Sequence, residues 1–151
     1  MRANYKQYKK IHYSIPIHIV FCTSDRRPVF DDPRAVDLFR KASRQISRLL
    51  GIEIFATECV KEYVHMYIQL PPNVSASEAI TKIKRETAAV LNKRVLKLKD
   101  GYSVWTWHAL VATENEFRDS DIRTFVEEQR VSGSKGESTK GEKRDGKRKK
   151  V

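Results

Sequence analysis

Four stretches of the chain combine β-branched, aromatic and long apolar residues in short runs, which is the pattern typical of β-strands. The most pronounced run covers residues 63–70, contains His65, and ends at a double proline that cannot continue a sheet ladder. Only Lys61 and Glu62 separate it from the run before it, which indicates a hairpin. The predicted strands cover residues 12–23, 52–60, 63–70 and 102–112.

Apolar residues recur every three or four positions in the intervals between these strands, which predicts amphipathic helices. Each helix begins near a side chain that can cap its first turn, and the first helix also has Pro33 at its start and Gly51 at its end. The predicted helices follow Asp31 or Asp32, Ser75 or Ser77, and Asp119 or Ser120, and the last one runs to about Arg130.

The elements follow the order strand, helix, strand, strand, helix, strand and terminal helix. This succession predicts an α+β fold of the ferredoxin-like type, a β-α-β-β-α-β antiparallel sheet with a C-terminal helix. RNA-recognition modules share this architecture, so the fold alone does not specify a function. We expect one domain over residues 12–130, a basic arm over residues 1–11, and a disordered basic tail over residues 131–151, which lack the apolar residues that a core requires.

The charge of the chain points to a polyanionic partner. Its 30 lysines and arginines outnumber 19 aspartates and glutamates, and the formal net charge is +11. Such an excess favours nucleic acid and, less often, an anionic membrane surface. No apolar run approaches the roughly 20 residues that span a bilayer, and the first residues lack the apolar core of a signal peptide. We therefore expect a soluble, cytoplasmic protein in which Cys22 and Cys59 are free thiols.

The histidine in the third predicted strand allows two interpretations. A histidine in a buried strand is commonly satisfied by a backbone carbonyl or lies at a sheet edge. It can also be a metal ligand, and Tyr63, two residues before His65, shares its face of the strand and could form half of such a site. The sequence around these two residues leaves both interpretations open.

Basic and aromatic side chains supply candidates for nucleic-acid contacts. Charged residues on a helix are usually only solvated, but the excess of charge in this chain makes a DNA-facing role equally reasonable. Tryptophan and tyrosine can stack on bases, although a tryptophan in a strand is more often part of the core. The basic candidates are Arg26, Arg27, Lys82, Lys84, Arg85, Lys93 and Arg94, and the aromatic ones are Tyr102, Trp105 and Trp107.

Three stretches in matching order and spacing resemble one protein family, the small HUH single-tyrosine transposases of bacterial and archaeal insertion sequences, often called TnpA. The resemblance runs from about Tyr13 to Arg130. The stretches are His-Ile-Val-Phe-Cys at residues 18–22 with Arg-Arg-Pro-Val-Phe at 26–30, Glu-Tyr-Val-His-Met-Tyr-Ile at 62–68, and Trp-Thr at 105–106 through to Ile-Arg-Thr-Phe-Val-Glu-Glu-Gln at 122–129.

The resemblance implies a dimeric enzyme that cuts and rejoins single-stranded DNA at hairpin-marked element ends. In the family, two histidines flanking a hydrophobic residue and a glutamine on the last helix bind Mg²⁺ or Mn²⁺, and a tyrosine one turn before that glutamine attacks the phosphodiester. In this chain His65 matches the second histidine and Gln129 matches the glutamine. Tyr63 occupies the place of the first histidine, and Phe125 occupies that of the nucleophile.

Both replacements affect the chemistry. Phenylalanine has no oxygen that could attack phosphorus, and a phenol with a pKa of about 10 is a poor ligand for Mg²⁺ or Mn²⁺. We therefore predict a transposase-like protein that binds hairpin or single-stranded DNA and is deficient in strand cleavage, with metal binding weak or absent. Two alternatives remain, namely a nicking enzyme that uses Tyr63, Tyr67 or Tyr102 as a substitute nucleophile, and an RNA-binding module of the same fold.

Overall fold

The computed structural model describes residues 5–134, so the last 17 residues of the predicted tail, 135–151, lie outside the described part of the chain. Within it, the chain forms six strands and three α-helices joined by short 3-10 and π-helical turns. The elements are β1 (Lys6–Tyr8), β2 (Ile11–Tyr13), β3 (Pro16–Cys22), α1 (Pro33–Leu50), β4 (Glu53–Val60), β5 (Tyr63–Gln69), α2 (Ala76–Leu91), β6 (Leu110–Thr113) and α3 (Asp119–Ser134).

Four of the strands form one antiparallel sheet in the order β4-β5-β3-β6. The two strands that follow each other directly in sequence, β4 and β5, pair as the predicted hairpin, and β3 lies between β5 and β6. This is the strand order of a ferredoxin-like β-α-β-β-α-β unit, and the predicted α+β fold is confirmed.

The two faces of the sheet have different environments. Alternate residues of β3 and β5 enter the main core, which includes buried side chains of α1 and α2. The other face, which we call the histidine face, carries the remaining residues of the same strands. These are His18, Val20 and Cys22 on β3, and Tyr63, His65, Tyr67 and Gln69 on β5.

An aromatic cluster anchors the segment before β6 to this core. The Trp105 side chain is 4% exposed and packs edge-on against Phe21 and Phe39 and in a stacked orientation on Phe30. Its indole Nε1 donates hydrogen bonds to the carbonyl of Lys84 and to the Thr87 hydroxyl, each at 3.2 Å. Trp105 is therefore a core residue, and it is not available for base stacking.

The predicted starts of the first two helices are confirmed. The carboxylate of Asp32 accepts the amide of Arg34 at 2.9 Å, Pro33 occupies the first turn, and Gly51 ends α1 with a φ of 77° in the left-handed region. Between the two serine candidates for α2, Ser75 is the cap: its hydroxyl accepts the amide of Glu78 at 3.0 Å.

The fourth strand is shorter than predicted. We expected a strand over residues 102–112, whereas the structure has an isolated bridge between Trp105 and Thr23 and a regular strand only over Leu110–Thr113. The ammonium group of Lys84 explains the difference, because it takes the carbonyls of Thr106 and His108 at 2.9 and 3.0 Å. Those two carbonyls are thereby engaged by α2 instead of by a neighbouring strand.

The predicted basic arm, residues 1–11, contains regular structure in its described part, and residues 1–4 lie outside that part. Strands β1 and β2 form a two-stranded hairpin with Lys9 and Lys10 in its turn. The first predicted strand is therefore divided: its beginning pairs within this hairpin, and β3 starts only at Pro16. Between them, the carbonyl of Ile15 accepts the amide of Leu70 at 2.9 Å. At the other end, α3 extends to Ser134, four residues beyond the predicted end.

Candidate metal and nucleic-acid site on the histidine face

His65 lies near the middle of β5, between the two strands that pair with it. Val20 of β3 and Glu58 of β4 are its direct neighbours across the sheet. Its side chain is 17% exposed. The structure thus places His65 on the face of the sheet opposite to α1 and α2.

A second histidine, which is not among the predicted site residues, forms a pair with His65. The Nδ1 atom of His18 lies 2.8 Å from the Nε2 atom of His65, a hydrogen-bond distance in which one nitrogen must carry the proton. The ring centroids are 5.1 Å apart. The ring planes are inclined by 28° to each other. The two histidines are therefore joined directly, with Nε2 of His65 occupied by His18.

The other nitrogen of His65 faces a carboxylate. Glu58 Oε1 lies 3.5 Å from His65 Nδ1. Glu58, His65 and His18 therefore form a chain across three strands, in which both nitrogens of His65 have a protein partner.

Aromatic rings enclose His18 from both sides. Its ring stacks on Tyr67 with 4.5 Å between centroids, and on Phe117 with 4.2 Å and an interplanar angle of 6°. Phe117 belongs to the connector between β6 and α3, and its ring also stacks on His65 at 5.0 Å. The connector thus lies over both histidines and leads directly into α3.

Tyr63 and Phe125, the two positions at which the resemblance implies a replaced catalytic group, pack against the same apolar cluster. The buried side chains of Val20, Cys22, Ile122 and Val126 form this cluster, which joins β3 to α3, and Tyr63, Leu110, Phe117 and Phe125 pack against it. Burial raises the pKa of the Tyr63 phenol, with smaller contributions from neighbouring acidic groups such as Glu58. Tyr63 is therefore a neutral phenol at physiological pH, and Phe125 acts as a packing residue of α3.

Gln129, the remaining predicted metal ligand, lies on α3 one turn after Phe125 and is half-buried. The spacing places both residues on one side of the helix. Across residues 5–134, no group of three or more His, Cys, Asp and Glu side chains has an arrangement that could hold a metal ion. His65 is engaged by His18 and Glu58, and the predicted ligand set of His65, Tyr63 and Gln129 offers no anionic oxygen.

The predicted DNA-binding residues fall into two separate groups. Arg26 is exposed in a 3-10 turn at the end of β3, near α3, while the neighbouring Arg27 pairs with Asp25 at 3.1 Å. The second group lies on and after α2, in the layer across the sheet from His65. It consists of Lys82, Arg85, Lys93 and Arg94, of which Lys82 pairs with Glu78 at 3.2 Å and the others are exposed.

Lys84 differs from the other predicted DNA contacts. Its ammonium group lies 5.5 Å from the centroid of the Phe21 ring, in addition to its hydrogen bonds to the carbonyls of Thr106 and His108. This lysine therefore has a structural role, connecting α2 to the segment before β6. Of the aromatic candidates in that segment, Trp107 is 48% exposed and Tyr102 is half-buried.

None of the helices described by the structure is long and apolar enough to cross a membrane.

The comparisons with known proteins agree with the fold and with the resemblance in sequence. The chain belongs to the family of IS200-like transposases, because the model of that family matches residues 11–129. This family is metal-dependent in general.

Two curated relatives are the transposases for insertion sequence element IS200 of Salmonella typhimurium and Salmonella typhi. Each is 26% identical over 99 residues, and the match spans 64% of this chain and 63% of their length. A third relative, the ISDra2 transposase TnpA of Deinococcus radiodurans, is 22% identical over 120 residues, which are 78% of this chain and 85% of that protein.

Solved structures show the same fold. A crystal structure of a Deinococcus radiodurans R1 protein described as a transposase superimposes with a TM-score of 0.73 at 24% identity, covering 82% of this chain and 97% of the other. The structure of a REP-associated tyrosine transposase bound to a REP hairpin gives a TM-score of 0.52 at 17% identity, over 87% of this chain and 74% of that one.

Proposed function

We propose that this chain binds hairpin or single-stranded DNA and is deficient in cutting it. The family membership and the REP hairpin bound by one structural neighbour support DNA as the partner, and the net charge of +11 supplies the attraction to phosphate. The observation that carries the proposed deficiency is the packing of Phe125 in the apolar cluster of β3 and α3. A ring without a hydroxyl cannot form the phosphotyrosine link that strand transfer needs.

The proposed weakness of metal binding follows from the donor atoms of the site. Mg²⁺ and Mn²⁺ prefer carboxylate, carbonyl and water oxygens, and imidazole nitrogens with free lone pairs can also bind Mn²⁺. In this chain Nε2 of His65 faces His18 and Nδ1 faces Glu58, and Tyr63 is a neutral phenol. These residues do not fit a divalent cation in their present arrangement, and no step of the function is assigned to one.

Restoring the missing groups tests the proposal. The test is a cleavage assay with Mn²⁺ on a single-stranded DNA that carries a hairpin, run on the wild type and on the Tyr63→His, Phe125→Tyr double variant, with DNA binding followed in parallel. We expect the wild type to bind without cutting and the double variant to cut and to form a covalent adduct. A wild type that binds neither single strands nor hairpins would refute the DNA-binding part.

A substitute nucleophile is a second candidate, because the Tyr67 ring lies against His18 beside the histidine pair. In that case the wild type would form a protein–DNA adduct that survives denaturation, and Tyr67→Phe would abolish it. Such an adduct would overturn the proposed deficiency. Tighter binding to a matched RNA hairpin than to DNA would instead favour an RNA-binding module.

We also propose that the chain works as a homodimer, which rests on the resemblance to the family. Light scattering on the purified protein measures this directly. The expected mass is twice the 17.6 kDa of the chain. A measured mass of 17.6 kDa at working concentrations would contradict the proposed homodimer.

A further inference from the structure

The histidine face carries a row of neighbouring aromatic rings that leads away from the histidine pair. We call it the ring row. It begins with the stacked rings of Phe117, His18 and Tyr67, the last two with 4.5 Å between centroids. It ends at Phe55, whose centroid is 5.0 Å from that of Tyr67 and whose ring plane is tilted by 46° to the Tyr67 ring. The inner rings are enclosed by their neighbours, whereas Phe55 is 43% exposed. The row therefore has one end at which a further ring can stack.

A β-bulge explains why this ring lies on the histidine face. The pairing of β4 with β5 shifts between Ile54, which faces Ile68, and Ala56, which faces Tyr67, so Phe55 is the extra residue of the bulge. Ile54 remains packed against the main core. Strand β4 is also an edge strand of the four-stranded sheet. The bulge thus presents Phe55 at an accessible edge while its neighbours keep their places in the sheet.

The basic N-terminal hairpin contacts β4 two residues before Phe55. Lys6 of the N-terminal hairpin forms an ion pair with Glu53 of β4, at 2.6 Å between Nζ and Oε1, and Glu53 is two residues from Phe55. This ion pair neutralises the carboxylate nearest in sequence to Phe55 and attaches the hairpin to the start of β4. The hairpin turn then adds the exposed Lys9 and Lys10. Over residues 5–24 the sequence contains no aspartate or glutamate.

We propose that Phe55 is a stacking platform for an unpaired base of single-stranded DNA, with the adjoining phosphates bound by Lys9 and Lys10. Every base has a π-face, so stacking on an aromatic side chain accepts any sequence, and a basic surface beside it follows the backbone. The contact of the Phe55 ring with Tyr67, at 5.0 Å between centroids, restricts the Phe55 side chain and so reduces the entropy that it would lose on binding. A duplex has no unpaired base to offer and would not use this platform.

This inference rests on the proposed DNA binding. It adds a binding site that is separate from the histidine pair and from the arginines near α3. Its test uses four fluorescein-labelled probes: an oligo-dT strand, an abasic strand of equal length, a blunt duplex, and a hairpin with a single-stranded extension. The abasic strand has the same phosphates without the bases. Stacking and phosphate contacts can therefore be separated on the same protein.

The first variant is Phe55→Leu, which keeps an apolar side chain and removes the π-face. We expect it to bind oligo-dT roughly five- to fifty-fold more weakly than the wild type and to bind the abasic strand and the duplex equally well. The matched control is Val60→Ala on the same strand, where the side chain is 37% exposed, and it should leave all affinities unchanged. Replacement of both Lys9 and Lys10 by glutamine should weaken oligo-dT and abasic binding by the same factor.

The second variant, Phe55→Trp in a Trp107→Phe background, reports contact by fluorescence. Trp105 is buried, so the new indole is the main exposed emitter of the described residues. Oligo-dT should quench it and the abasic strand should not. Wild-type affinity for oligo-dT in Phe55→Leu, or equal quenching by both strands, would overturn the platform. A wild type that binds none of the four probes would instead refute the proposed DNA binding itself.

Discussion

His18 and His65 are joined by a hydrogen bond of 2.8 Å between Nδ1 and Nε2, across the paired strands β3 and β5. The two residues are 47 positions apart in sequence, and each belongs to a separate run that was predicted as a strand. The bond ties together the two central strands of the sheet on the face that also receives α3. The bond also affects the candidate site, because it occupies Nε2 of His65, which could otherwise bind a ligand.

The first prediction concerns the energy of this pair. His18→Ala removes the partner of His65 and the ring between Tyr67 and Phe117, and it should lower the free energy of unfolding by about 1–3 kcal/mol. Urea denaturation measures the change. The control is His108→Ala at an exposed position, which should change stability by less than about 0.5 kcal/mol. In a double-mutant cycle with His65→Ala, additive losses would show that the two rings do not interact.

The second prediction separates a structural lysine from its solvent-exposed neighbours. Lys84→Met keeps the apolar stem but removes the ammonium group that binds two carbonyls, and it should destabilise the protein by about 1–3 kcal/mol. Lys93→Met, at an exposed position just after α2, should not change stability measurably. Thermal or urea unfolding of both variants provides the comparison. Equal stability of the two variants would remove the structural role of Lys84.

The third prediction concerns the reactivity and pH dependence of Cys59. Burial raises the pKa of its thiol to about 11. In a Cys22→Ala background at pH 8, Cys59 should react with a disulfide reagent roughly a hundred times more slowly in the folded than in the unfolded protein, because the thiolate is the reactive species.

The sign of the linked stability follows from the same shift. The pKa of Cys59 is higher in the folded state than the value of about 8.5 in an unfolded chain, so its contribution to stability is fully present below that value and is lost as the pH rises towards 11. Equal reaction rates in the folded and unfolded protein would contradict both parts of the prediction.

Local signals in the sequence were sufficient for the ends of the first two helices but not for the contacts between side chains on different strands. The signals that begin or end a helix act on residues close to them in sequence. These signals are Asp32, Pro33, Gly51 and Ser75, and they allowed the starts of α1 and α2 and the end of α1 to be predicted closely. The pairing of His18 with His65 depends on the register between β3 and β5, which a single sequence does not specify. A histidine on each of two apolar strands was the available signal, and only one of them was selected.

The missed part of the fourth strand has a similar origin. Its residues have strong strand propensity, and Trp105 was correctly expected in the core. What interrupts the strand is Lys84, 22 residues before Thr106, whose ammonium group binds two of its carbonyls. A long-range contact of this kind overrides local propensity. The contact of Tyr63 and Phe125 with one apolar cluster likewise depends on how α3 packs on the sheet, which local sequence signals do not specify.

The last prediction concerns the salt dependence of DNA binding. Arg85, Lys93 and Arg94 are exposed on and after α2, and each one that contacts a phosphate releases counterions from the DNA. For single strands the slope of log affinity against log salt should therefore become less negative by about 0.7 for each contact that a glutamine replacement removes. Fluorescence anisotropy at several salt concentrations measures this slope. Arg44→Gln is the matched control, because Arg44 is exposed on α1 and was not predicted to contact DNA. Equal changes of slope in the control and in the α2 variants would mean that these residues act only through net charge, and the α2 surface would no longer be a DNA contact.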